Sequence, residues 1–320
     1  MKIEPIDEIV PLTIGGSQVE ENLHLLSLLL GEFRDYGSII IRAIFLDDKG
    51  ITTHLRAVIS CLLRKVIEDI DAISILIKES SSDPCFLNLR RLYENHIYLK
   101  FILKEKKKSE ERAKAYYVNY QLNKRKNAEI YDCSTPRGKE QRAKLQKDGM
   151  AEDLSFQSIN CKNEVAGIER KLQETQYQYI KNEFDRIKKE KSKKEKKGKL
   201  GNHWYSLFGG PTNLAELSED VKCSGLYFLY RQFSKYSHSE NELENIDLQG
   251  ADQAGLVQIR NPESAQKIVL MTLEFGYLSF YTALETLKPP CLKCFWLYYK
   301  KNIEPKRAEL RDNKIINVIR

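Results

Sequence analysis

The sequence predicts an all-α protein, a helical bundle interrupted by a long charged helical insertion. Three observations carry this. Apolar residues recur at i, i+3, i+4 and i+7 over several long segments. Asp83-Pro84 and Asn261-Pro262 pair an N-cap residue with a proline suited to the first helical turn. No stretch shows the clean period-two alternation of a strand. The predicted organisation is an N-terminal half of the bundle over 1–126 and a charged insertion, helical or partly disordered, over 127–200. A C-terminal half over 201–300 and a charged tail over 301–320 follow.

In chain order, residues 1–17 read as loose, with Pro5, Pro11 and the Gly15-Gly16 turn signal. Helical spacing runs from Gln18 to Phe45, with Gly31 and Gly37 as candidate bends or breaks. After the turn Asp47-Asp48-Lys49-Gly50, Thr52 or Thr53 caps a second helix reaching about Glu79. Its stripe holds Leu55, Ile59, Leu62, Leu63, Val66, Ile70, Ile73 and Ile77. A third helix starts at Asp83-Pro84 and runs to about Lys104. The segment 104–126, with Tyr116, Tyr117 and Tyr120, reads as a fourth.

Residues 127–160 are polar, and Cys133 to Gly138 breaks any helix there. A charged helix or helical hairpin spans about 163–197. Four glycines and Pro211 make 198–212 a loop anchored by Trp204 and Phe208. After a short lead-in over 213–220 comes an amphipathic helix whose apolar face is Leu226, Leu229, Tyr230 and Phe233. Residues 239–260 connect it to a helix from Asn261-Pro262 to about Leu287, stopped by Pro289-Pro290. A short aromatic helix, Phe295 to Tyr299, precedes the tail.

Of 320 residues, 42% are hydrophobic and 30% charged, enough for a substantial core. No apolar run reaches the length of a membrane span. The first residues carry acids where a secretory leader carries bases. Seven scattered cysteines fit a reducing compartment. The expectation is a cytoplasmic protein with no membrane contact. The net charge is +7, and the run 186–199 holds nine bases and two acids, so the rest is neutral overall. Such a run is either a solvated segment or a loose holder of an anionic polymer. Lys188, Lys189, Lys191, Lys193, Lys194, Lys196 and Lys197 are its candidate nucleic-acid-binding residues.

The stretch richest in chemistry is Tyr230-Arg231-Gln232-Phe233-Ser234-Lys235-Tyr236-Ser237-His238. On one helix, Arg231 and His238 differ by about 20° in azimuth, two turns apart, with Ser234 between. Arginine clamps phosphate through two N–H groups, and histidine trades a proton near neutral pH. The plain alternative is a solvated or structural pair. This spacing resembles the Arg-x(4–6)-His motif of the HEPN superfamily, all-helical proteins that are often metal-independent ribonucleases of toxin and antiviral systems. The chain departs from some HEPN toxins at Glu240, where they carry Tyr.

Arg90 and Glu94 form an i,i+4 pair on an otherwise apolar helix, and Glu94 is placed to orient Arg90 or Arg231. Together with Trp204 and the Tyr230 to His238 run, this resembles a bacterial domain family of unknown function over roughly 50–125 and 200–285. The lone Cys291-x-x-Cys294 lacks the further ligands a zinc site needs, so no metal or cofactor is expected. His24, His54 and His96 read as core or boundary residues, and His203, beside Trp204, stands apart.

The resemblance implies an RNA-cleaving dimer with Arg231 and His238 as catalytic residues and Ser234, Tyr230, Arg90 and Glu94 in support. An antitoxin or defence-system protein is the further partner class. The alternative is a non-enzymatic interaction module or regulatory subunit of such a system.

Overall fold

The computed structural model describes residues 16–46, 49–149, 161–193, 203–236, 246–248, 254–256, 259–290 and 292–316. The chain forms two compact units, one from residues 1–106 with 218–320 and one from 107–217. Among the described residues the regular structure is helical apart from a two-stranded antiparallel ribbon, β1 (Ile246–Leu248) with β2 (Ala254–Leu256).

In the first unit the bundle consists of α1 (Ser17–Phe45), α2 (His54–Lys78), α3 (Cys85–Leu103) and α10 (Ala265–Leu287). The inward stripe of α1 is Leu23, Leu26, Leu30, Phe33, Ile40 and Ile44, all buried. Those steps of three, four and seven give one helical face. Thr53 caps α2, its Oγ1 accepting from Arg56 N at 3.2 Å. The buried stripe of α2 runs from Ile59 to Ile77 as the spacing predicts.

Neither Gly31 nor Gly37 breaks α1. The two differ in what surrounds them. A Cβ at Gly37 would stand 2.4 Å from the Phe280 ring, whereas Gly31 faces open space. On the facing helix, a Cβ at Gly276 would meet the Phe33 ring at 2.5 Å. The glycines let two helices approach closely enough for Phe33 and Phe280 to meet edge to face, with centroids 5.3 Å apart. Tyr93 of α3 meets Phe275 of α10 in the same way at 5.9 Å.

Residues 301–316 are more than a charged tail. Helix α11 (Leu292–Tyr298) continues through a π turn (Tyr299–Ile303) into α12 (Glu304–Asp312). Pro305 has no N–H for the ladder and its ring crowds the carbonyl one turn back, which the wider turn accommodates. Tyr36 Oη donates to the Phe295 carbonyl at 3.2 Å, Arg307 pairs with Glu274, and Gln266 Nε2 donates to the Leu310 and Asn313 carbonyls at 2.6 Å.

The second unit is built on α4 (Ser109–Tyr131). Against it lie α5 (Pro136–Lys147), α6 (Lys162–Leu172), α7 (Thr175–Lys193) and a 3₁₀ segment, Trp204–Gly209. Gln173-Glu174 separates α6 from α7, so the charged segment is two helices rather than one. Trp204 is buried and meets Tyr116 edge to face at 5.1 Å. Phe208 is 53% exposed at φ 55°, so it is not the anchor the loop composition suggested. Helix α8 (Leu214–Asp220) leads toward α9 (Ser224–Lys235).

Two predictions follow from this packing. Gly37→Ala forces a methyl against Phe280 and should cost about 1–3 kcal/mol. Gly31→Ala meets nothing and should gain up to about 1 kcal/mol from helix propensity. Calorimetric melting of the two variants should move in opposite directions.

The second concerns Asp69 of α2, which is fully buried. One carboxylate oxygen binds Arg91 Nη2 at 2.5 Å and the other has no hydrogen-bond partner. Burial pushes its carboxyl up to about 6 against the pull of Arg91 and Lys65. The folded state therefore holds the proton more tightly than the unfolded chain, whose Asp titrates near about 3.9. The stability this contributes is full below about pH 4 and lost as pH rises through about 6. Asp69→Asn should flatten that loss, read from melting temperatures across pH 4–7.

Candidate functional site

Of the residues singled out from the sequence, Arg90 and Glu94 lie on α3 and Tyr230, Arg231 and Ser234 on α9, both in the first unit. Helix α9 lies against α3 and is anchored at its C-terminal end by aromatic stacking. Phe233, the buried residue of α9, stacks on Phe86 of α3 at 5.9 Å, and Tyr236 stacks on the same ring at 4.3 Å. The rest of the apolar face is less covered than its spacing predicts. Leu226, Tyr227, Leu229 and Tyr230 are half-buried, and Phe228 is 59% exposed.

Midway along this contact a polar link joins the helices. Arg90 Nε binds Glu94 Oε1 at 3.2 Å, one turn along α3, and both side chains are about a quarter exposed. Arg90 Nη2 donates to Tyr230 Oη at 3.1 Å, and its guanidinium carbon lies 5.1 Å from the Tyr230 ring centroid. Burial works against the charge of Arg90, but Tyr230 and Glu94 more than offset it and hold its pKa above the usual value. Burial, with Glu94 adding, raises the Tyr230 pKa, and Arg90 opposes the rise. Of the two partners proposed for Glu94, the structure selects Arg90.

Arg231 follows Tyr230 and points to solvent. It makes no ion pair with a described residue. Ser234 is half-buried, its Oγ donating to the Tyr230 carbonyl at 2.8 Å, a bond internal to the helix. Helix α9 closes at Lys235 with Tyr236 as its cap. His238 falls beyond that end and outside the described residues. Of the basic run, Lys188 and Lys189 are exposed on α7, beside Ile187, which is buried. Arg186 is engaged by Glu183 and Glu190, so the run begins as packed helix. Lys191 and Lys193 belong to α7 with side chains outside the described set, and Lys194, Lys196 and Lys197 lie outside it altogether.

Beneath the α3–α9 contact sits a polar cluster that the spacing argument missed. His96 is buried, its Nε2 3.9 Å from Cys223 Sγ and its Nδ1 3.5 Å from Ser279 Oγ. Lys100 Nζ donates to Cys223 Sγ at 3.2 Å, and Tyr93 Oη and Ser218 Oγ share a hydrogen bond at 2.8 Å. Burial, helped by Lys100, pushes the His96 pKa down to about 3, so its ring is neutral near pH 7. The sequence signal was weak: His96 sits three residues from Tyr93 on one helix face, but Cys223 and Ser279 are far away in the chain. Among the described residues no group of three or more His, Cys, Asp or Glu is placed to hold a metal, and Cys294 is exposed and free.

Residues 56–253 match the profile of a family of unknown function, DUF5677. The chain belongs to this family. The match includes α3, all of the second unit and α9, so the Arg90–Glu94–Tyr230 link lies within the family's extent. It ends before α10, which closes the bundle. No curated protein matches the chain, and neither does any solved structure. Among the described residues no helix is long and apolar enough to cross a membrane.

The link predicts a specific cost. Tyr230→Phe removes the hydroxyl that Arg90 donates to and should cost about 1 kcal/mol. Because α9 has little other burial, hydrogen exchange of its amides should quicken while that of α2 does not.

Proposed function

We propose that the chain is a metal-independent endoribonuclease of HEPN type, acting as a toxin or antiviral effector. The observation that carries this reading is Arg231. It is an exposed arginine without an ion pair to a described residue, on a helix pinned on either side by the Tyr230–Arg90 bond and the Phe86 stack. A charge held on a fixed helix and left open to solvent is suited to a phosphate. In this reading Arg231 neutralises the scissile phosphate. His238 acts as general base on the ribose 2′-hydroxyl or general acid on the leaving oxygen. Arg90 and Glu94 set the position of α9 through Tyr230 and do not touch substrate. The enzyme is a dimer that brings two such motifs together across a two-fold axis.

A second reading rests on the uncovered face of α9. Phe228, with half-buried Leu226, Tyr227 and Leu229, fits a non-enzymatic module whose α9 docks on a partner protein of a defence or toxin–antitoxin system.

The two readings part at His238. In the ribonuclease, His238→Ala lowers the cleavage rate at least about a hundredfold with the fold intact. Arg231→Lys is also poor, since the two-pronged grip is lost. Products end in 2′,3′-cyclic phosphate, and EDTA has no effect. A folded His238→Ala protein that cuts RNA at the wild-type rate would rule out this motif as the catalytic one. In the interaction module, no RNA end chemistry depends on His238, and Phe228→Glu abolishes association, read by sedimentation.

A further inference from the structure

The positive charge of the chain lies in the second unit, most of it in the run 186–199. Residues 107–217 hold twenty-five lysines and arginines against sixteen acids, an excess of nine, whereas the whole chain has +7. The first unit is thus slightly acidic. Within the second unit, α5 carries the largest charge excess of any helix. Its twelve residues carry five bases (Arg137, Lys139, Arg142, Lys144 and Lys147) and one acid, Glu140.

The geometry of α5 sorts these residues by face. Gly138 is buried, and Gln141 and Leu145 are half-buried. At about 100° per residue these three span one narrow arc. The Gly138 position is tight against α4, for a Cβ there would stand 2.0 Å from the Asp132 carbonyl oxygen. All five bases fall on the remaining arc and are exposed. Arg137 pairs with Glu129 and Lys144 with Glu140. Lys139, Arg142 and Lys147 make no ion pair with a described residue.

This arrangement does not serve the helix itself. Its first turn has no acid and carries Arg137 and Lys139 against the positive end of the helix dipole. Lys139 and Arg142, like Lys144 and Lys147, are like charges three residues apart. A short polar helix with so little burial is marginal in water. A polyanion laid along the outer arc would relieve the repulsion and release its own counterions. A lipid surface is a poorer fit, because an interfacial helix needs an apolar face and the only large apolar side chain of α5, Leu145, turns inward.

We propose that α5 is a docking face for the phosphate backbone of a nucleic acid. The choice of RNA as its occupant rests on the ribonuclease reading above, and the charge argument does not. Lys139, Arg142 and Lys147 are the contacting cations, held outward by the Thr135 cap and the Gly138 contact.

The test uses the full chain and fluorescence anisotropy of labelled single-stranded oligouridine and oligothymidine across a salt series. One variant is Lys139→Glu/Arg142→Glu/Lys147→Glu. A control, Lys78→Glu/Lys267→Glu/Lys293→Glu, makes the same charge change at exposed lysines of the first unit. Circular dichroism melts confirm that both fold, and a Gln triple at the α5 positions replaces the Glu triple if it does not. The α5 variant should bind both probes at least about tenfold more weakly at low salt. Its salt slope should be shallower by about two, the expectation for three lost phosphate contacts to a single strand. The control should bind as wild type does. Equal losses in control and α5 variant, or unchanged binding by the α5 variant, overturn the proposal. So does co-sedimentation with anionic phosphatidylserine vesicles that falls in the α5 variant while oligonucleotide binding does not. RNA bound through α5 but never cleaved would sink the ribonuclease reading and leave this one standing.

Discussion

The close approach of α1 and α10 is the constraint on which the first unit depends. Gly37 faces Phe280 and Gly276 faces Phe33, so each helix offers a hollow to a ring of the other. Interiors are packed to the density of organic crystals and tolerate little added volume at such points. With α1 and α10 in place, Tyr93 of α3 closes on Phe275, and α3 becomes the surface on which α9 rests. The candidate site therefore hangs on a chain of ring contacts that begins at two glycines.

Helix α9 is held in a different manner from the bundle. A hydrogen bond from Arg90 to Tyr230 and two stacked rings on Phe86 do much of the work that burial does elsewhere. Such contacts fix direction and register more than they add stability. The polar cluster below, His96 with Cys223, Lys100 and Ser279, has the same character. A neutral imidazole in a dry setting needs partners, and it finds them on α10 and at the start of α9. The result is a helix held in place that still reaches solvent at Arg231.

The second unit shows how charge and packing divide a helix between them. In α4, α6 and α7 the apolar residues are sparse but periodic, and opposite charges meet across helices, as Lys124 with Glu164 and Arg125 with Glu169. Exposed pairs of this kind add little individually. They do account for many of the bases, which is why the remainder on α5 stands out. Asp132 closes the connection by accepting from Ser134 N at 2.8 Å and Cys161 N at 3.3 Å.

The sequence by itself determined what depends on neighbours along the chain. The helices α1, α2 and α10, a cap at Thr52 or Thr53, and a stop near Leu287 before Pro289-Pro290 follow from periodicity and local hydrogen bonding. The membership of Arg90, Glu94 and Tyr230 in one site was legible as a pattern, though not as a contact. Helix α5 escaped notice because a helix with one large apolar residue has no periodic signal, and α12 escaped because its charges read as a tail. Only the tertiary structure decided that Gly37 is a packing position and Gly31 is not, since the difference is the presence of Phe280. It alone decided that Glu94 serves Arg90, that Phe208 faces solvent, and that His96 meets Cys223. Each is a matter of which distant residue arrives opposite, and local spacing carries no information about that.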